Sequence, residues 1–171
     1  LETYAEERNA FRAKVLGHKK ARQVRLGDHL TLTFEDRLTM QYQIQEMLRI
    51  ERIFEAEGIQ DELEAYNPLI PDGDNLKATL LIEYADVEER KRALAQLVDV
   101  EDRIWIEFGD TGRVLPICDE DLDRETEEKT SSVHFMRWQF TPEQIAAAKA
   151  GAPVLLGVDH AALRIEGQAL T

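Results

Sequence analysis

The spacing of apolar side chains divides the chain into helical and extended segments. Over residues 3–23, Tyr4, Phe11 and Val15 recur at spacings of seven and four with charged residues between them. This predicts a helix with a narrow apolar stripe, lying on the body of the protein or against another subunit. Gly27-Asp28 breaks the pattern. Alternation follows at 29–35, where Leu30, Leu32 and Phe34 share a side, and at 38–44, where Leu38, Met40, Tyr42 and Ile44 do the same. A hairpin turning at Asp36 is expected. Its second strand should run directly into a helix at 45–56, closed by Gly58 as a left-handed cap. A shorter helix at 60–66 is expected to stop at Asn67-Pro68, because the residue before proline is pushed out of the helical region. Residues 67–75 read as a structured loop inside the same domain.

The second half of the chain carries one order of elements twice. A strand at 76–84 leads to a helix at 87–98 capped by Asp86, then to strands at 102–108 and 112–117 around Gly109-Asp110-Thr111-Gly112. A strand at 131–140 leads to a helix at 142–149, whose start Thr141-Pro142-Glu143-Gln144 is a capping box, then to strands at 153–158 and 163–169. The two copies share the order strand, helix, hairpin with little sequence identity. The expectation is a single α+β domain over 1–171, with an antiparallel or mixed sheet covered by helices and two strand-helix-hairpin units.

Composition narrows the classes of function. The 171 residues are 43% hydrophobic and carry a formal charge of −13, which suits one globular domain. One cysteine, Cys118, excludes a disulfide framework within the chain and a four-cysteine zinc site. A reducing cytoplasm is the simplest setting. Apolar runs such as Pro153 to Val158 are far short of the ~20 residues that cross a bilayer, so no membrane role is expected. The chain opens on Leu1 rather than Met, which leaves room for residues upstream.

Charge is uneven. Arg8, Arg12, Lys14, Lys19, Lys20, Arg22 and Arg25 stand in a stretch without acids, leaving −20 on the remainder. Nucleic acid is not an expected partner, since the acidic body opposes phosphate and no aromatic residues interleave with the basic ones. Between the two units, residues 119–128 hold seven acids in ten and predict a mobile loop across 119–129.

No complete catalytic motif is present, and enzyme activity is left open. Asp110-Thr111-Gly112 resembles an aspartic-protease triplet but supplies ordinary turn residues and is followed by Arg113. The carboxylates from Asp119 to Asp123 alternate as in a calcium loop, yet Arg124 stands where the glycine is required and Thr130 where the glutamate is. His18, His29, His134 and His160 form no i, i+4 pair, so no metal site is assigned from local spacing. Cys118 with His134 lacks a visible third group and reads as a strand-end thiol. The stretch Gln41 to Arg52 is richest in chemistry. On a strand Gln41, Gln43 and Gln45 would form a row of amides, with Glu46 and Arg49 following on the helix. That junction reads either as a structural hydrogen-bond network or as a ligand pocket, with Gln43, Glu46, Arg49, Tyr66 and Asn67 as its residues and an anion on Arg49.

Several scattered motifs together resemble a bacterial family classed as a domain of unknown function. They are Tyr4 with Arg8 and Phe11-Arg12, Val24-Arg25-Leu26-Gly27-Asp28, Tyr42 to Ile53, Glu62-Leu63, Tyr66-Asn67, Leu69-Ile70-Pro71, Ser132-Val133 with Phe135, and Gly157-Val158-Asp159-His160. The family looks like one encoded beside rubrerythrin-like proteins and iron-sulfur oxidoreductases. The resemblance implies an accessory role in redox or peroxide-stress metabolism. The leading expectation is therefore a non-enzymatic binding or accessory protein, a homo-oligomer with a redox protein as candidate partner; no cofactor is assigned. A small-anion-binding enzyme or sensor is the alternative. A metalloprotein using His29, His134 or His160 is the third reading.

Overall fold

A computed structural model describes residues 2–124, Thr126 and 128–170. Helix α1 (Glu2–Lys20) leads to β1 (Gln23–Leu26) and β2 (Leu30–Phe34), followed by α2 (Arg37–Ile50) and α3 (Ala56–Tyr66). The first unit is β3 (Asn75–Ile82), α4 (Val87–Gln96), β4 (Ile104–Phe108) and β5 (Arg113–Val114). The short β6 (Ile117–Cys118) precedes the second unit, which is β7 (Val133–Gln139), α5 (Pro142–Lys149), β8 (Val154–His160) and β9 (Leu163–Leu170).

Among the described residues the strands form two antiparallel sheets, ordered β1-β2-β3-β7-β6 and β5-β4-β8-β9. The two units meet like with like: β3 pairs with β7 in one sheet and β4 with β8 in the other. The repeat of element order thus corresponds to a pseudo-symmetric packing. Leu32, Leu80 and Trp138 of the first sheet are buried in one cluster with Ile104, Ile106 and Leu156 of the second. Each such side chain contributes about 1.5–3 kcal/mol on leaving water. The Trp138 indole N–H donates to the Ile104 carbonyl at 2.9 Å, tying the sheets together. Gly157 allows a second indole to lie flat on the outer face of the second sheet. A Cβ there would fall on the Trp105 ring and within 2.6 Å of the Ile165 carbonyl oxygen.

The structure corrects the expected hairpin. Residues 38–44 are helical, within α2, and the strand that forms a hairpin with β2 is β1, which starts at Gln23, the last residue of the segment expected to be helix 3–23. Asp36 is not a hairpin turn but an N-cap. Its carboxylate accepts from the Thr39 N–H at 3.0 Å, while Thr39 Oγ1 accepts from the Asp36 N–H at 2.9 Å. Met40, Ile44 and Leu48, four residues apart, form the buried stripe, so the period-2 pattern of 38–44 was incidental to a period-3.6 one. The expected helix at 45–56 also ends early. Arg52 takes a left-handed φ of 55°, and the Ile53 N–H closes on the Leu48 carbonyl at 3.0 Å. This is the glycine-type termination of a helix carried out by an arginine. Gly58 lies inside α3, where a Cβ would meet Ile53 at 2.6 Å.

The expected strand 112–117 divides at Leu115-Pro116. Arg113–Val114 pairs with β4 in the second sheet, whereas Ile117–Cys118 pairs with β7 in the first. Pro116 lacks an N–H and cannot continue the first ladder. The chain changes sheets there, which sets Cys118 and Asp119 beside β7.

Candidate functional site

His134 lies in β7 on the inward side of the strand, with Met136 and Trp138, and is 0% exposed. Two carboxylates reach the same ring. Glu101 comes from the 3-10 turn Glu101–Arg103 ahead of β4 and is also buried. Asp119 follows β6 with a left-handed φ of 50°. In an extended strand Asp119 would face away from its neighbour Cys118; the left-handed turn brings its carboxylate back toward β7. Ligating atoms of Glu101, Asp119 and His134 all lie within 4.8 Å of one another.

The hydrogen bonds around the imidazole orient it. His134 Nδ1 lies 2.5 Å from Asp119 Oδ2 and 3.5 Å from Glu101 Oε1. On the other side Nε2 lies 3.0 Å from the Ser131 carbonyl and 2.8 Å from Thr130 Oγ1. A carbonyl only accepts, so Nε2 carries a proton and donates it. The Thr130 hydroxyl then donates to Glu101, at 3.4–3.5 Å. Burial opposes charge on the ring, but the hydrogen bond to Asp119 and the negative charges of Glu101 and Asp119 outweigh it and raise the His134 pKa. Threonine, histidine and aspartate stand in the order of a nucleophilic triad, yet the Thr130 hydroxyl is buried and engaged by Glu101, which leaves no approach for a substrate.

Above this cluster is an open, acid-lined pocket of about 330 Å³, bordered by Glu101, Asp102, Cys118, Asp119, Asp121 and Asp123. Part of the acidic stretch is tied to the sheet. The Arg124 guanidinium binds Asp119 at 3.1 Å and both carboxylate oxygens of Asp121 at 2.5 and 2.7 Å, and lies over the Phe135 ring at 4.6 Å. Asp119 Oδ1 also accepts from the Phe135 N–H at 2.9 Å, and Glu120 pairs with Arg137 at 2.7 Å. Of the loop expected at 119–129, Glu125 and Glu127 lie outside the described residues.

The residues expected to form a pocket at the 43–49 junction are placed differently. There is no strand-to-helix junction, since Gln43, Glu46 and Arg49 all belong to α2. Glu46 faces α1: it accepts from the Tyr4 hydroxyl at 2.6 Å, from Arg8 at 2.8 and 3.0 Å, and from Arg49 at 3.2 Å. The Arg8 hydrogen bonds lower its pKa to about 2. Asn67 instead borders a groove between α2 and α3, with Gln41, Gln45, Leu48 and Leu63. Tyr66, at the end of α3, and Gln43 are part-buried, and neither borders that groove. The structure therefore joins Glu46 with Arg49 and sets Asn67 apart from them.

Nor do the histidines converge. His29 stacks on Tyr84 at 3.8 Å and hydrogen-bonds the Glu83 carbonyl at 2.9 Å. His160 caps the β8–β9 turn, donating to Val98 at 2.7 Å and accepting from the Ala162 N–H at 3.0 Å. Among the described residues only His134 meets two carboxylates that can share an ion with it, and those carboxylates were not singled out with it by sequence. One available signal was a histidine on the inward side of a strand whose other inward residues are methionine and tryptophan.

The family described as protein of unknown function (DUF3501) matches residues 1–170. A crystal structure of a protein of unknown function from Burkholderia pseudomallei K96243 is 50% identical in sequence and superposes with a TM-score of 0.94, covering 99% of this chain and 88% of the other. No match is found among curated proteins. With a family match over nearly its whole length and a half-identical neighbour of the same fold, the chain belongs to the DUF3501 family of proteins of unknown function.

Proposed function

We propose that this protein binds a divalent transition-metal ion through His134, Glu101 and Asp119, and that it acts as a non-enzymatic accessory protein in redox metabolism. The observation that carries the metal reading is the orientation of His134. One ring nitrogen faces two carboxylates while the other is held by the Ser131 carbonyl. Ligating histidines are fixed in this way, with the distal N–H on a backbone carbonyl or carboxylate. An ion seated there replaces the Nδ1 proton, which leaves to solvent, and neutralises the buried Glu101 and half-buried Asp119 carboxylates. The acidic pocket above supplies a favourable potential for a cation.

The redox part rests on the resemblance of the chain to proteins encoded beside rubrerythrin-like proteins and iron-sulfur oxidoreductases. A small-anion pocket around Arg49 has weaker support, because Glu46 already accepts from Tyr4, Arg8 and Arg49. The test is calorimetry with Zn²⁺ on protein stripped of metal by a chelator. One equivalent should bind, the thermal midpoint should rise, and both effects should weaken in Glu101→Gln. A well-folded protein that binds no Zn²⁺ would refute the reading. The accessory role is tested by gentle purification from the native cell, where an oxidoreductase should co-elute and be released by salt.

A further inference from the structure

The pocket leaves one donor of a different kind unaccounted for. Cys118 borders it beside Glu101, Asp102 and Asp119. Its position follows from the change of sheet at Pro116, which pairs Cys118 with Met136 of β7. Met136 and His134 are two residues apart and share the inward side of β7, so the thiol and the imidazole lie on one face of the sheet. The left-handed Asp119 then adds its carboxylate to that face.

We infer that Cys118 is a further ligand of the ion held by His134, Glu101 and Asp119, so that the site selects a thiolate-binding transition ion such as Zn²⁺, Fe²⁺ or Co²⁺ over Mg²⁺ or Ca²⁺. The inference rests on the metal reading above and extends it to the chemical class of the ion. Oxygen-only sites suit hard cations, whereas imidazole nitrogen and thiolate sulfur favour borderline and soft ones. Cys118 Sγ lies outside the tight group of ligand atoms formed by Glu101, Asp119 and His134, and ligation requires the thiol to turn toward that group. Binding forms a metal–sulfur bond and breaks the S–H bond. The ion takes the sulfur lone pair and the proton leaves to solvent through the open pocket that Cys118 and Asp102 border.

The alternative use of this thiol, as a nucleophile, is disfavoured by its surroundings. Burial, with the negative charges of Asp102 and Glu101, raises its pKa and keeps it protonated. A divalent cation reverses that setting by supplying the positive charge that stabilises a thiolate.

Titration of metal-stripped, reduced protein with Co²⁺ under anaerobic conditions, followed by absorption, tests the inference. Visible d–d bands report binding at the site, and a near-ultraviolet sulfur-to-cobalt charge-transfer band reports ligation by Cys118. Both should appear together. Cys118→Ser should lose the charge-transfer band, keep the d–d bands and bind at least about tenfold more weakly. A large excess of Mg²⁺ should not displace the cobalt. Visible bands without charge transfer, or displacement by Mg²⁺, would overturn the inference while leaving a metal site in place. Absence of any cobalt binding by folded protein would overturn both.

Discussion

Asp119 Oδ2 lies 2.5 Å from His134 Nδ1 although Asp119 follows β6, His134 lies in β7, and the most acidic stretch of the chain separates them. Two backbone events create this contact. Pro116 ends the pairing of the chain with the second sheet, and the left-handed φ at Asp119 turns the carboxylate toward β7.

Removing that carboxylate should affect stability and metal binding together. Asp119→Asn leaves a raised-pKa imidazole beside an amide that cannot balance its charge. Breaking a buried pair in this way costs about 3–5 kcal/mol. Urea unfolding should show a loss near the lower end of that range, because Glu101 remains close to the ring. Zn²⁺ affinity should fall by at least about tenfold.

The contact between α1 and α2 should be sensitive to acid. The carboxyl of Glu46 ordinarily titrates at 4.5, and the hydrogen bonds of Arg8 lower it to about 2 in the folded chain. A lowered pKa stabilises the folded state above the ordinary value and is lost as pH falls through the folded one. Stability from Glu46 should therefore be complete above pH 4.5 and decline toward pH 2. The protection of residues 2–20 against hydrogen exchange, taken relative to the intrinsic rate at each pH, should fall over that window. In Glu46→Gln the exchange of α1 should already be fast at neutral pH, without the acid-dependent step.

Gly157→Ala should destabilise the second sheet. The new methyl meets the Trp105 ring and the Ile165 carbonyl, and a backbone oxygen cannot step aside as a flexible side chain can. An overpacking cost of about 1–3 kcal/mol is expected, read as a lower urea midpoint with near-ultraviolet dichroism from Trp105 altered.

Arg52→Gly should raise stability. Arg52 ends α2 with φ 55°, the conformation that glycine takes without steric cost. Relief of about 1 kcal/mol, partly offset by the freer unfolded chain, should appear as a higher melting temperature.

Much of the architecture was legible because its signals are local. The capping box Thr141 to Gln144 marks the start of α5, and Asp86, accepting from the Glu89 N–H at 2.7 Å, marks that of α4. The order of strand, helix and hairpin appeared twice along the chain and is realised twice in space. Residues 38–44 misled because Leu38, Met40, Tyr42 and Ile44 satisfy the strand period while Met40, Ile44 and Leu48 satisfy the helical one. Asp36 with Thr39 decided between them, and that capping pair uses threonine where the usual signature has glutamate or glutamine.

The candidate site was less legible. His134 and Cys118 were visible as residues of reactive type, but nothing near them in the chain named Glu101 and Asp119 as companions. By itself the sequence determined the periodicities, the capped helices, the repeated unit and the acidic charge, since these depend on residues within a few positions of one another. Only the tertiary structure decided which sheet receives Cys118, which face Asp119 turns to, and that Glu101 and His134 share one buried space. Those outcomes depend on strand pairing between distant segments, where one proline and one left-handed residue redirect side chains across several ångströms.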